Sequence, residues 1–188
     1  MLTIPRKTYA ILYCRNPGGI AMAQEVRIIT TGGTFDKQYD AISGELTFRE
    51  SQLPRILNQS RCTLSILLEG PLAVDSLFMT DGQREEIAQT CLHSAEEKIV
   101  VIHGTDTMCN TAKVIAETLK GDASKTVVLT GAMIPYSLEN SDAVFNLGCA
   151  LTAVQLLPPG VYITMSGRVF LYDNCRKNKD KGVFETIT

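Results

Sequence analysis

The stretch KIVVIHGTDTMCNTAKVIAETLKGDASKTVVLTGAM, Lys98 to Met133, decides the fold. It opens on β-branched residues, Ile99 to His103, with no polar alternation, and passes through the polar segment HGTDT, His103 to Thr107. From Asn110 to Leu119 apolar residues recur at helical spacing, Gly121 stands where a helix C-cap would, and Thr126 to Thr130 is a second unbroken apolar run. Runs apolar on both faces are strands covered by helices on both sides, so the unit reads as strand, helix, parallel strand. Each of its strands leads straight into a segment rich in Gly, Thr or Asp: HGTDT, then TGAM, Thr130 to Met133.

The pattern extends in both directions. Val26 to Thr30, Thr63 to Leu68 and Val161 to Met165 read as further strands, and Arg49 to Gln59, Asp81 to Glu96, Asp106 to Lys120 and Asn140 to Leu157 as helices. Pro54 marks an early-turn position in the first helix, and Thr80 an N-cap for the second. The fold class is α/β, a three-layer, open, mostly parallel sheet with helices on both faces. Residues 25–188 read as a single domain, undivided by repeats or linkers. Residues 1–24 read as an N-terminal extension: Arg6, Lys7, the apolar stretch Thr8 to Cys14 and Ala21-Met22-Ala23 imitate a signal peptide, but Arg15, Asn16 and Pro17 interrupt it, and Met22 is an alternative start.

Composition narrows the function. The 188 residues are 45% hydrophobic and 20% charged, enough to bury a core. The 18 Lys+Arg against 20 Asp+Glu give a net charge of -2, without the basic footprint that nucleic acid requires. No apolar run reaches the length of a membrane span. Six cysteines, no two closer than Cys91 and Cys109, form no CxxC pair and read as free thiols in a reducing, cytoplasmic setting. Neither a metal nor a cofactor is expected.

The chemistry collects at strand ends. TGGT (Thr31 to Thr34), Asp75-Ser76, HGTDT and TGAM each follow one of the first four strands. In an open parallel sheet ligands bind outside the carboxyl ends of the strands, so the four segments converge on one crevice. Gly32 and Gly33 permit a sharp turn and close backbone approach, presenting the Thr34 hydroxyl. Thr105 and Thr107 flank Asp106 at a helix start, where free N–H groups bind anions or simply receive a cap. The GxSxG, GxGxxG and GxxxxGK[ST] signatures are absent, and His103 reads as a structural, hydrogen-bonded histidine bordering the crevice.

TGGT, HGTDTM and TGAM, in this order, resemble the bacterial-type L-asparaginases and related glutaminases, from about Val26 to Asn178. The resemblance implies a cofactor-free amidohydrolase that converts L-asparagine to L-aspartate and ammonia through a threonyl acyl-enzyme. By that resemblance Thr34 is the nucleophile and Tyr39 the residue that activates it. Thr105 and Asp106 form the second catalytic group, with Gly33, Asp75, Ser76, Gly104 and Ala132 around the substrate. Ser76 would bind the α-carboxylate, Asp106 the α-amino group, and the Ala132 carbonyl would face the leaving amide. Glutaminase or another side-chain amidase is the alternative within the fold, and an inactive amino-acid-binding or assembly module the alternative outside it.

The sequence departs from that family pattern in three places. The usual lysine after TGAM is missing, since none occurs between Lys125 and Lys177, so Lys177, or next Lys179, must supply it. Both fall in the charged run Arg176 to Lys181, which otherwise reads as a solvated loop. The family's further small α/β domain has no counterpart, which predicts a more open site and a homo-oligomer, a dimer. The loop after Thr34 also lacks the family's glycine-rich stretch.

Overall fold

The computed structural model describes residues 7–9 and 25–188. A seven-stranded sheet forms its centre, built from β1 (Lys7–Tyr9), β2 (Glu25–Thr30), β5 (Ser65–Gly70), β6 (Lys98–Ile102), β7 (Thr126–Thr130), β8 (Gly160–Met165) and β9 (Arg168–Leu171) in the order β1-β5-β2-β6-β7-β8-β9. The five inner strands are parallel, and β1 and β9 close the edges antiparallel. The expected three-layer α/β architecture is therefore present. The signal-like features and alternative start expected within residues 1–24 lie outside the described residues, apart from β1.

Two hairpins stand off the sheet: β3 (Lys37–Asp40) with β4 (Glu45–Phe48), and β10 (Arg176–Asn178) with β11 (Val183–Glu185). Neither hairpin, nor β1 or β9, is expected from the sequence reading. The helices α1 (Leu53–Gln59), α2 (Asp81–His93), α3 (Met108–Thr118) and α4 (Ala143–Leu156) are each shorter than the sequence suggests but in the expected places. Pro54 sits in the first turn of α1, and Thr80 caps α2 in a reciprocal capping box with Gln83.

Strand alternation sorts the core into two layers. Val26, Ile28, Val100, Ile102 and Val128 face α1 and α4, while Ile29, Ile99, Val101, Val127 and Leu129 face α2 and α3. Because β5 lies on one side of β2 and β6 on the other, the connection leaving β2 runs towards one edge of the sheet and the connection leaving β6 towards the other. A crevice must open where they part, outside the carboxyl ends of β2 and β6.

Candidate active site

Glycines bring the four loops together. The Thr31 N–H and hydroxyl both donate to Ile102 O, joining the first loop to β6, and the Gly33 N–H donates to Val74 O at 3.1 Å, joining it to the loop after β5. Gly33 has φ +78, and a Cβ there would lie 2.5 Å from the Gly104 backbone. A Cβ on Gly104 would lie 2.5 Å from Ser76 Oγ, and one on Gly131 would lie 2.3 Å from His103 O. Thr34, Ser76, Thr105 and Ala132 therefore border one seam of bare backbone. Gly33, whose amide is engaged by Val74, serves this packing; Gly104 does the same.

Thr34 is half-buried and opens a short 3₁₀ turn, Thr34 to Asp36. The next side chain, Phe35, is fully buried and anchors that turn in the core. Asp36 is buried too, where desolvation pushes its carboxyl above the ordinary range although Gln52 N–H and Ser51 Oγ donate to it. Its place is thus structural, leading into α1.

At the loop after β6, Lys177 Nζ donates to Thr105 Oγ1 at 2.7 Å and to Asp106 Oδ1 at 2.8 Å. Thr105 is buried, Asp106 and Lys177 half-buried. Since an ammonium only donates, Thr105 Oγ1 accepts here, and its own hydrogen is left for another acceptor in the crevice. The solvated-loop reading of Arg176 to Lys181 is corrected for its first three residues, which form β10. Pairing with β11, where Lys177 faces buried Phe184, directs the side chain inward. Beneath it the Cys175 thiol hydrogen-bonds Cys109, whose sulfur also meets the Lys177 N–H. Lys179 is exposed.

The loop after β6 is held from behind. Arg84, buried on α2, donates to Thr111 Oγ1 at 2.7 Å and to Thr107 Oγ1 at 3.2 Å. The Gly104 carbonyl, 2.7 Å from His103 Nδ1, can only accept, so Nδ1 carries the proton and Nε2 accepts from Thr111 Oγ1 at 2.8 Å. Burial lowers His103 to about 4, with Arg84 nearby in the same sense, and the ring is neutral. Thr107 Oγ1 completes the frame by donating to Ser76 O at 2.9 Å. After β7, Asp142 accepts from the N–H groups of Met133 and Ile134, and Asn146 Nδ2 donates to Gly131 O, fixing Ala132 between them.

Not every expected residue lies in this frame. Tyr39 is 60% exposed on β3, and its hydroxyl makes no hydrogen bond among the described residues. Asp75 uses Oδ2 for Lys37 Nζ, at 2.6 Å, and Oδ1 for the Leu77 N–H. Burial raises its pKa, but Lys37 and that N–H outweigh burial and hold it below the usual carboxylate range. Sequence reasoning overlooked Lys37, Arg84, Thr111, Asp142 and Asn146, none of which lies in a glycine-rich loop. Among the described residues no group of three or more His, Cys, Asp or Glu is placed to hold a metal ion, and no helix is long and apolar enough to cross a membrane.

A family model described as "Asparaginase, N-terminal" matches residues 25–185, from β2 to the last strand. The chain belongs to this asparaginase N-terminal family. Among solved structures the L-asparaginase of Thermococcus kodakarensis shares its fold, with a TM-score of 0.74 and 24% identity over 87% of this chain and 51% of that one. L-asparaginase I of Vibrio cholerae does so with a TM-score of 0.74 and 23% identity, over the same shares. A curated relative from Methanococcus vannielii, a subunit of glutamyl-tRNA(Gln) amidotransferase, is 29% identical over 156 residues, 78% of this chain and 35% of that protein. The asparaginase-family domain thus spans about half the length of the matched structures and about a third of that relative.

Proposed function

We propose that this chain is an amidohydrolase acting on the side-chain amide of L-asparagine and releasing ammonia and L-aspartate. The observation that carries the reading is the Lys177–Thr105–Asp106 cluster, at the loop whose Gly104 backbone packs against Gly33, next to Thr34. In this reading Thr34 Oγ attacks the amide carbon, and the carbonyl electrons move onto oxygen, stabilised by N–H groups of the loop around Thr105. The tetrahedral intermediate collapses to a threonyl ester as the protonated nitrogen leaves as ammonia, and water then cleaves the ester. Lys177 fixes Thr105 so that its hydroxyl hydrogen points into the crevice, where it relays a proton to the leaving nitrogen. Asp106 Oδ1 is held by Lys177, leaving Oδ2 for the α-ammonium, while Ser76 Oγ takes the α-carboxylate and the Ala132 carbonyl the departing amide. Tyr39, brought inward by the hairpin when substrate is bound, takes the Thr34 proton as it passes its own phenol proton on to Thr105, so that the proton lost by the nucleophile is the one that Thr105 delivers to the leaving nitrogen.

Glutamine differs from asparagine by one methylene, and a pocket discriminates such a difference by only about 1–3 kcal/mol. The match to an amidotransferase subunit keeps glutamine as the second substrate to assay. Free thiols at all five cysteines among the described residues suit a reducing, cytoplasmic setting. A homodimer belongs to the same proposal, and light scattering tests it. The decisive experiment measures ammonia from Asn, Gln and D-Asn with wild type, Thr34→Ala and Tyr39→Phe. Thr34→Ala is expected to abolish release with the fold intact, and Tyr39→Phe to lower kcat more than it raises KM. Undiminished turnover by Thr34→Ala overturns the assignment of the nucleophile.

A further inference from the structure

Two short turns carry the two hydroxyls that the proposed reaction must keep at a fixed spacing. Thr34 opens one, and the Lys37 N–H closes it on the Thr34 carbonyl. Ser76 opens the other, and Asp75 caps that turn by accepting the Leu77 N–H on Oδ1. The residue that ends the first turn is bonded to the residue that begins the second: Lys37 Nζ lies 2.6 Å from Asp75 Oδ2, with both side chains three-quarters or more shielded from solvent. The Phe48 ring, 5.7 Å from the same ammonium, shields it further. Lys37 is also held through its backbone, because its carbonyl accepts from Ser137 Oγ at 2.8 Å, and the Phe35 carbonyl accepts from Tyr136 N–H at 3.3 Å.

We infer that Lys37 and Asp75 are a pair of positioning residues that lock the Thr34 turn to the Ser76 turn, so setting the distance between nucleophile and carboxylate anchor. The inference rests on the amidohydrolase reading for its catalytic consequence, but not for the lock itself. It also moves Asp75 from substrate contact to support, since both its oxygens are already engaged. A salt bridge at this depth is well suited to such a role. A displacement of about 1 Å between reacting groups is enough to lose roughly 100-fold in rate, far more than such a pair contributes to folding.

The test compares Lys37→Met, Asp75→Asn, the double variant and Lys37→Arg with wild type by backbone hydrogen exchange and steady-state ammonia release. Lys37→Met and Asp75→Asn are each expected to speed exchange at residues 34–37 and 76–78 together, with no further increase in the double variant. They are expected to lower kcat for Asn by roughly tenfold to 100-fold, with Lys37→Arg restoring most of it. A rise in KM alone would return Asp75 to substrate contact and overturn the inference, as would unchanged exchange in both turns. If wild type releases no ammonia from Asn or Gln while the exchange changes appear, the amidohydrolase reading fails and the lock stands. Should Lys37→Met fold poorly, Asp75→Asn, which keeps the side chain's shape, decides alone.

Discussion

Lys177 Nζ lies 2.7 Å from Thr105 Oγ1, although the two residues are 72 positions apart in the chain. The contact joins a strand-end loop of the main sheet to a hairpin outside it, and it makes the cluster sensitive to one side chain. Lys177→Met is expected to lower kcat for Asn by about 100-fold or more with little change in KM, in the range typical of losing a proton-relay group. Lys179→Met, at the exposed neighbour, is the control and should leave both constants unchanged. Initial-rate ammonia assays measure the difference.

Gly104→Ala tests the seam. The added Cβ would lie 2.5 Å from Ser76 Oγ and 2.6 Å from Ser76 Cβ, and Ser76, buried in its own turn, has nowhere to retreat. Overpacking of this kind costs about 1–3 kcal/mol. Thermal melts should record that loss, and the surviving protein should release ammonia from Asn with a lowered kcat/KM, because the proposed carboxylate anchor has moved.

His103 gives stability a particular pH dependence. In the folded chain burial lowers it to about 4, whereas in the unfolded chain it titrates near 6.5. Between those values the unfolded state binds a proton that the folded state refuses, so stability falls as pH drops from about 6.5 to about 4, by roughly 3 kcal/mol at most. Above pH 6.5 the histidine contributes no slope. Urea unfolding of wild type and His103→Asn across this range should show a shallower slope in the variant, with the histidine's share removed.

Cysteine chemistry supplies a further check on the Lys177 hairpin. The hydrogen bond from Cys175 holds the Cys109 thiol below its ordinary range, with Lys113 acting in the same sense, while the same contact and burial push Cys175 up. Cys91, buried in the core, is pushed up to about 12. Iodoacetamide at neutral pH should therefore label Cys109 ahead of Cys175 and Cys91. Because the Cys109 sulfur meets the Lys177 N–H, ammonia release should decline in step with its labelling, as followed by mass spectrometry.

The main sheet was legible because its inner strands are covered on both faces, which makes β6 and β7 unbroken apolar runs. The site loops were legible for a related reason: tight backbone approach demands glycine, and glycine is visible in a sequence. The hairpins were harder. The β3 segment KQYD has no apolar face to report, although Asp40 to Gly44 carries an ordinary turn signal. For β10 the cue was the phase of burial: Cys175 is buried, Arg176 exposed, and Lys177 partly inward again, a period of two that a run of charge conceals. Lys37 and Arg84 could not be found this way, because each acts through a partner distant in sequence.

The close-packed seam between Gly33, Gly104 and Ser76 also bears on how such a protein can change. Its inner wall has no volume in which a different residue could be accommodated, so saturating those positions would return mostly dead clones. Exposed Leu77 and Phe78 on one bank, with Met133 and Ile134 on another, are under no such constraint. A library seeking acceptance of a new amide should be built there, from the outside in.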